Sequence, residues 1–247
     1  MSAEPAGTEF ATLVAAVLAP VRTHMAFESC VEQLGSAIQL GVFRSGERLP
    51  PERDLADTMQ VSRATLREAI AALRAAGFVH TTRGRGGGTF VAPREQNSKT
   101  PDLTATSRTK AEMMSLLVFR QVVEPGSCYM AASRQTTGQE QALLLACLEE
   151  VEKSTDPEDY RQADSRLHLA FATAAGSTEL SQASAYLQLT IREALAEIPF
   201  LSKNIEHSNA QHREIVQAIL DGEPKRARDV MESHCDATAA LLKGLLK

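Results

Sequence analysis

The chain of 247 residues contains no tryptophan, only 4% aromatic residues and just 4 cysteines. Its core must therefore be built mainly from Ala, Leu and Val. Cys30, Cys128, Cys147 and Cys235 lie far apart with no Cys-x-x-Cys pair. That spacing argues against a disulfide framework or a cysteine zinc site, and a reducing cytoplasm is the expected location. Long apolar runs are also missing. The best candidate, residues 10–21, falls short of the roughly 20 residues a membrane-spanning helix needs, so no membrane partner is expected. The first ten residues carry acids rather than a positive segment, which argues against a secretory signal. Nor is there an excess of positive charge: 26 Lys and Arg against 31 Asp and Glu leave a formal net charge of -5. A protein that coats nucleic acid by bulk charge is excluded. What is present, 43% hydrophobic and 23% charged residues, is the ordinary balance of a globular chain of one or two domains.

The charge is unevenly spread. Residues 44–94 hold nine arginines and five acids, a local balance of +4 that leaves -9 for the remainder. One basic segment inside an acidic chain points to a nucleic-acid-binding module joined to something else. The segment has a readable order. Residues 27–41 show helical spacing of Val31, Leu34 and Ile38. A short helix is predicted from Pro51, with Leu55, Ala56 and Met59 on its apolar side. A third follows Ser62, a good N-cap residue, runs to about Ala76 and ends on Gly77. Two short strands, 78–82 and 89–92, flank the glycine-rich tip Arg83-Gly84-Arg85-Gly86-Gly87-Gly88. Three helices and a hairpin make a winged helix-turn-helix. The tip lies between strands, with no following helix and no Gly-Lys-Ser/Thr, so it does not read as a nucleotide-phosphate loop.

In a helix-turn-helix the second helix enters the major groove with its N-terminal residues on base edges. Here Arg63 and Arg67 lie 40° apart on one face of that helix, while Leu66, Ile70 and Leu73 line the apolar side. Arginine is the side chain best shaped to bond guanine O6 and N7 together. Arg53 is placed to reach a phosphate or base. Arg83 and Arg85 on the wing suit a minor groove or backbone target.

Residues 93–109 are polar, carry two prolines and read as a linker. Beyond them, breaks at 136–138, 156–157, 176–177, 198–199 and 221–224 separate about six helices, the pattern of an all-helical bundle. Three of these helices point a histidine inward. His168 shares its face with Asp164, four residues earlier, and with Tyr160 and Phe171. His212 shares a face with Ile215, Val216 and Ile219, and His234 with Val230, Met231 and Leu241. Buried imidazoles need partners, and facing helices of a bundle are a usual place for a metal. Asp164, His168, His212 and His234 together suit a divalent ion such as Zn²⁺ or Ni²⁺. A core histidine bonded to its neighbours is the bland reading of any one of them. Three inward faces with an added carboxylate favour the metal. His24, His80 and His207 lack that context. A divalent ion beside one carboxylate leaves a positive pocket, so a small organic acid is the expected ligand.

The stretch Gly46-Glu-Arg-Leu-Pro-Pro-Glu-Arg-Asp-Leu-Ala, then Val61-Ser-Arg-Ala-Thr-Leu-Arg-Glu-Ala and the wing at 86–91 resemble the DNA-binding domain of GntR-type bacterial transcription regulators. Pro51 stands where that family usually has Ser. The resemblance assigns DNA contacts to Arg53, Arg63, Thr65, Arg67, Arg83 and Gly84, and implies a homodimer on a palindromic operator. The Asp164-x-x-x-His168 pair, His212 in His-Arg-Glu-Ile-Val and His234 in Met-Glu-Ser-His are similar to the FCD effector domain of the FadR subgroup, whose members with this set bind a divalent metal. The phrase Phe119-Arg-Gln-Val-Val-Glu124 resembles that subgroup's Arg-x-x-x-Glu. This implies that Arg120 faces an effector cavity; otherwise it forms an i,i+4 ion pair with Glu124. The expectation is a mainly α protein: a DNA-binding domain over 25–92, a linker over 93–109 and a metal- and effector-binding domain over 110–247. It would act as a metabolite-responsive regulator, a repressor rather than an enzyme. A metalloenzyme fused to a DNA-binding module, or an architectural DNA-binding protein with a structural metal, are the alternatives.

Overall fold

The computed structural model describes residues 26–84, 86–93 and 109–245. Among them are nine helices and two strands, in two compact units, one within 14–107 and one within 108–247. The expected linker falls almost wholly outside the described residues, as do Arg85, His24 and the apolar run at 10–21.

The first unit opens with α1 (Ala26–Gln39), α2 (Glu52–Met59) and α3 (Arg63–Ala75), followed by β1 (Val79–Thr82) and β2 (Gly88–Val91). Each helix buries the stripe its periodicity announced: Leu34 and Ile38 on α1, Leu55 and Met59 on α2, Leu66, Ile70 and Leu73 on α3. Helix α3 packs on both α1 and α2. Ser62 caps α3, its Oγ accepting from the Thr65 amide at 3.0 Å. Between α2 and α3 the chain turns through Gln60, the one non-glycine residue with positive φ (54°) among those described. That conformation costs a side-chain residue of order 1 kcal/mol, and here it sets the sharp helix–turn–helix angle. Gly77, at φ 84°, takes the left-handed position after α3, where glycine carries no such cost. The strands pair antiparallel, Val79 with Val91 through to Thr82 with Gly88. The observed strands differ from expectation by one residue at their ends.

The second unit is all helical: α4 (Lys110–Ser133), α5 (Gly138–Lys153), α6 (Pro157–Ala174), α7 (Thr178–Ala196), α8 (Ser202–Leu220) and α9 (Pro224–Leu245). The boundaries follow local chemistry. Thr109 with Glu112 and Thr137 with Glu140 form reciprocal capping boxes that satisfy otherwise orphaned amides. Asp156 caps α6 ahead of Pro157, and Ser177 caps α7. Proline suits the first helical position because its missing N–H would have no partner there. Helix α4 is the hub, packing against α6, α7, α8 and α9. Leu117, Ala194, Ile198, Ala239 and Leu242 form one apolar cluster around it, and Leu116, Val123, Leu187 and Ile191 another. With the aliphatic residues in these clusters, the middle of the bundle is free to hold polar groups. No helix among the described residues is long and apolar enough to cross a membrane.

Candidate functional site

The residues expected to contact DNA lie on α2, α3 and the wing. Arg53, Arg63 and Arg67 are exposed, Thr65 is half-buried beside the cap, and Arg83 and Gly84 are exposed at the hairpin tip. Two of the arginines are paired with nearby acids. Arg67 Nε donates to Glu52 Oε2 at 2.9 Å, tying α3 to α2, and Arg53 Nε donates to Asp54 Oδ1 at 3.0 Å. Exposed pairs of this kind contribute about 0–1 kcal/mol, little enough for a phosphate or base to displace. Gly84 and Gly86 have φ of 101° and 88°, so the tip needs glycine at both. Gly88 lies under Arg48, whose Nε would be 2.5 Å from a Cβ at that position. The wing thus carries a further arginine at its base, one contributed by a segment distant in sequence.

The three inward histidines of the second unit meet. His168 on α6, His212 on α8 and His234 on α9 each place a ring nitrogen within 4.8 Å of the others'. Their ring centroids are 4.8–5.4 Å apart. Asp164 joins two of them: Oδ1 is 3.5 Å from His212 Nε2 and Oδ2 is 3.9 Å from His168 Nε2. Ligands about 2.0–2.2 Å from a zinc ion are roughly 3.4 Å apart in a tetrahedral arrangement, so inward shifts of a few tenths of an ångström to about 1 Å would suffice. His207, five residues before His212, is exposed, and His80 is exposed and stacks on Phe90 at 5.7 Å.

Neighbouring helices fix the set. Tyr160, one turn before Asp164, donates its hydroxyl to Asn209 on α8 at 2.9 Å. His234 Nδ1 lies 3.2 Å from Gln211 Oε1, and the amide of Gln211 is turned by its bond to Ser233 Oγ at 3.3 Å. This leaves Nε2 of His234 for the shared centre. His168 Nδ1 lies 3.2 Å from Glu124 Oε2, close but out of line for a hydrogen bond. Both ring nitrogens of His168 and of His212 are buried without a hydrogen-bond partner among the described residues. Uncompensated burial of a polar nitrogen costs about 1–3 kcal/mol. An ion takes one nitrogen from each ring, and the Nε2 atoms of His168 and His212, both on the Asp164 side, are what a divalent cation would satisfy.

Burial holds His212 and His234 well below the ordinary imidazole value of 6.5, and repulsion among the clustered imidazoles adds to it. Burial likewise raises Asp164, against the pull of His168 and Arg120. Buried histidines that resist protonation have a consequence for stability. Below pH 6.5 the unfolded chain takes up protons at these positions that the folded chain refuses, so stability falls as pH falls. Asp164, raised, contributes in the opposite sense, but it is one group against two. Chelator-treated protein should therefore lose melting temperature from pH 7 to pH 5.5, and scanning calorimetry in matched buffers checks this. A flat profile would show that the imidazoles are not buried neutral.

Beside the histidines lies a cavity of about 60 Å³, lined among others by Arg120, Asp164, Gln188, Arg192, Phe200 and His234. At ~10–15 Å³ of such volume per water, it holds a few water-sized groups, enough for a small organic acid and too little for a long acyl chain. Arg120 pairs with Glu124, Nε to Oε2 at 2.7 Å, but the pair is 2% and 3% exposed rather than on the surface, and the same side chain lines the cavity. Its Nη1 is buried with no hydrogen-bond partner among the described residues.

Comparison with known proteins gives a family match within each unit. Residues 28–91 match bacterial regulatory proteins of the gntR family, and residues 115–237 match the FCD domain. The chain is 35% identical over 84% of its length to the HTH-type transcriptional regulator RmpR of Mycobacterium gastri, of which it covers 76%. It is 32% identical over 81% of its length to a protein of Escherichia coli named for regulation of an L-lactate dehydrogenase operon, covering 79% of it. It is 30% identical over 84% of its length to the HTH-type transcriptional regulator LutR of Bacillus subtilis, covering 96%. Among solved structures, Escherichia coli McbR/YncC shares the fold at a TM-score of 0.54 and 14% identity, over 89% of this chain and 97% of that one.

Proposed function

Because the chain belongs to the GntR family of bacterial regulatory proteins and carries an FCD domain, we propose that it is a repressor that releases its operator when a small carboxylate binds beside a metal. In this reading residues 25–92 form the DNA-binding domain, 93–109 the linker and 110–247 the effector domain. The chain acts as a homodimer on a palindromic operator. Arg53, Arg63, Thr65, Arg67, Arg83, Gly84 and Arg85 contact DNA. Asp164, His168, His212 and His234 hold a divalent ion, Zn²⁺ or Ni²⁺, and Arg120 contacts the effector.

The observation that carries the effector half is the cluster of unpartnered imidazole nitrogens next to a cavity that Arg120 also lines. When bound, the ion supplies a positive centre that attracts a carboxylate oxygen. Arg120 offers its free Nη1 to the other end of the anion. The Escherichia coli relative is named for regulation of an L-lactate dehydrogenase operon, which adds support for a 2-hydroxy acid. Binding changes DNA affinity only if the ligand prefers one of two dimer arrangements.

L-lactate is the first probe. Titration calorimetry of zinc-loaded protein should show saturable binding that Arg120→Met weakens by about tenfold or more, the ~1.5–3 kcal/mol of a hydrogen bond to a charged group. Sugar acids and dicarboxylates form the second round. Equal affinity for an acid before and after metal removal would refute the metal–carboxylate reading and leave the DNA-binding assignment standing.

A further inference from the structure

We infer that Glu124 is a positioning residue for the metal centre: its carboxylate fixes the ring of His168 so that Nε2 faces the ion, while the same oxygen anchors Arg120 at the cavity. The inference rests on the metal reading above and adds a residue that touches neither the ion nor the effector.

Glu124 is 3% exposed, and keeping a carboxylate charged at such a depth costs several kcal/mol unless it is fully bonded. The bundle supplies donors from four helices. Arg120 Nε on α4 is 2.7 Å from Oε2, and Cys235 Sγ on α9 is 3.5 Å from it. Gln188 on α7 donates Nε2 to Oε1, and His168 on α6 brings Nδ1 to 3.2 Å from Oε2. Pairing with Arg120 alone would neutralise the charge. The convergence of His168 on the same oxygen goes beyond that need.

The direction of the contact is what matters. Nε2 of His168 is the nitrogen on the Asp164 side, 3.9 Å from Oδ2. A carboxylate 3.2 Å from Nδ1 favours the tautomer with the proton there once the ring turns into line, which leaves the lone pair on Nε2 for the ion and makes the ring a stronger donor. His234 shows the weaker form of the same device, with the neutral Gln211 Oε1 at its Nδ1. Of the two, the charged partner is expected to have the larger effect. Since Arg120 shares Oε2, any movement of Glu124 reaches the cavity and the metal centre together.

The experiment uses the full-length protein and Zn²⁺ alone, in competition with a chromophoric chelator, for wild type and Glu124→Gln. The amide keeps the shape and loses the charge. Zinc affinity is expected to fall by about 10–100-fold, with the helical circular-dichroism spectrum unchanged. Nitrogen-15 spectra of histidine-labelled, zinc-loaded wild type should place the His168 proton on Nδ1 and the metal on Nε2. This second measurement needs no variant, so it decides the matter even if Glu124→Gln fails to fold. Wild-type zinc affinity in the variant, or ligation of the wild-type ring through Nδ1, overturns the role given to Glu124 while leaving the metal site in place. Absence of zinc binding by the wild type overturns both.

Discussion

Replacing His212 or His234 by alanine is expected to abolish stoichiometric zinc binding and, with it, the thermal stabilisation that zinc confers. At free zinc of 100 times the dissociation constant, a single site stabilises the folded chain by about 2.7 kcal/mol. For a protein of this size that corresponds to a rise in melting temperature of roughly 5–10 °C. The variants should show none of it. Both rings are buried; His212 has neither nitrogen bonded among the described residues, so its removal breaks no hydrogen bond, and His234 gives up only its Nδ1 contact with Gln211. The metal-free variants should therefore melt close to the metal-free wild type, set apart mainly by the cavity left behind. Metal analysis of the purified proteins, followed by thermal melts with and without zinc, checks both parts. Unchanged zinc content and affinity in the two variants would sink the site.

The second large effect is expected at the other end of the chain. Arg63→Ala or Arg67→Ala should weaken binding to the true operator by about 1–3 kcal/mol, roughly 5–150-fold, and relax the preference at the bases they read. Arg67 carries an additional prediction. It is pre-placed by Glu52, so Glu52→Gln should free the side chain and cost specificity before affinity. Arg85→Ala, on the wing, should weaken binding evenly across sequences and reduce the salt slope by about one. Mobility-shift titrations at two salt concentrations separate these behaviours. If both recognition-helix variants hold the operator as tightly as wild type, α3 does not read the major groove.

Much of this was visible in the order of residues, because it depends on local chemistry. Helix boundaries sit at Ser62, Asp156 and Ser177 since a side-chain oxygen there satisfies the first amides, and at Pro157 and Pro224 since proline fits the first turn. The apolar stripes that face inward repeat every three or four residues, so the inward direction of His168, His212 and His234 followed from their neighbours. The basic balance of 44–94 and the family resemblance are likewise linear properties.

Other features depend on which helix lies beside which, and no spacing records that. Glu124 reads as half of an i,i+4 surface pair. Only the packing of α4 against α6, α7 and α9 buries it and brings Arg120, His168, Gln188 and Cys235 to one carboxylate. Gln211 sits next to His212 in the chain yet bonds His234, because α8 and α9 are neighbours. Glu52 and Arg67 are 15 residues apart and meet through the turn at Gln60, a left-handed residue that nothing in its side chain announces. The sequence by itself determined the elements, their inward faces and the residue types available for a metal. The tertiary structure decided the distances between them, since contacts across helices are set by the mutual burial of whole apolar faces.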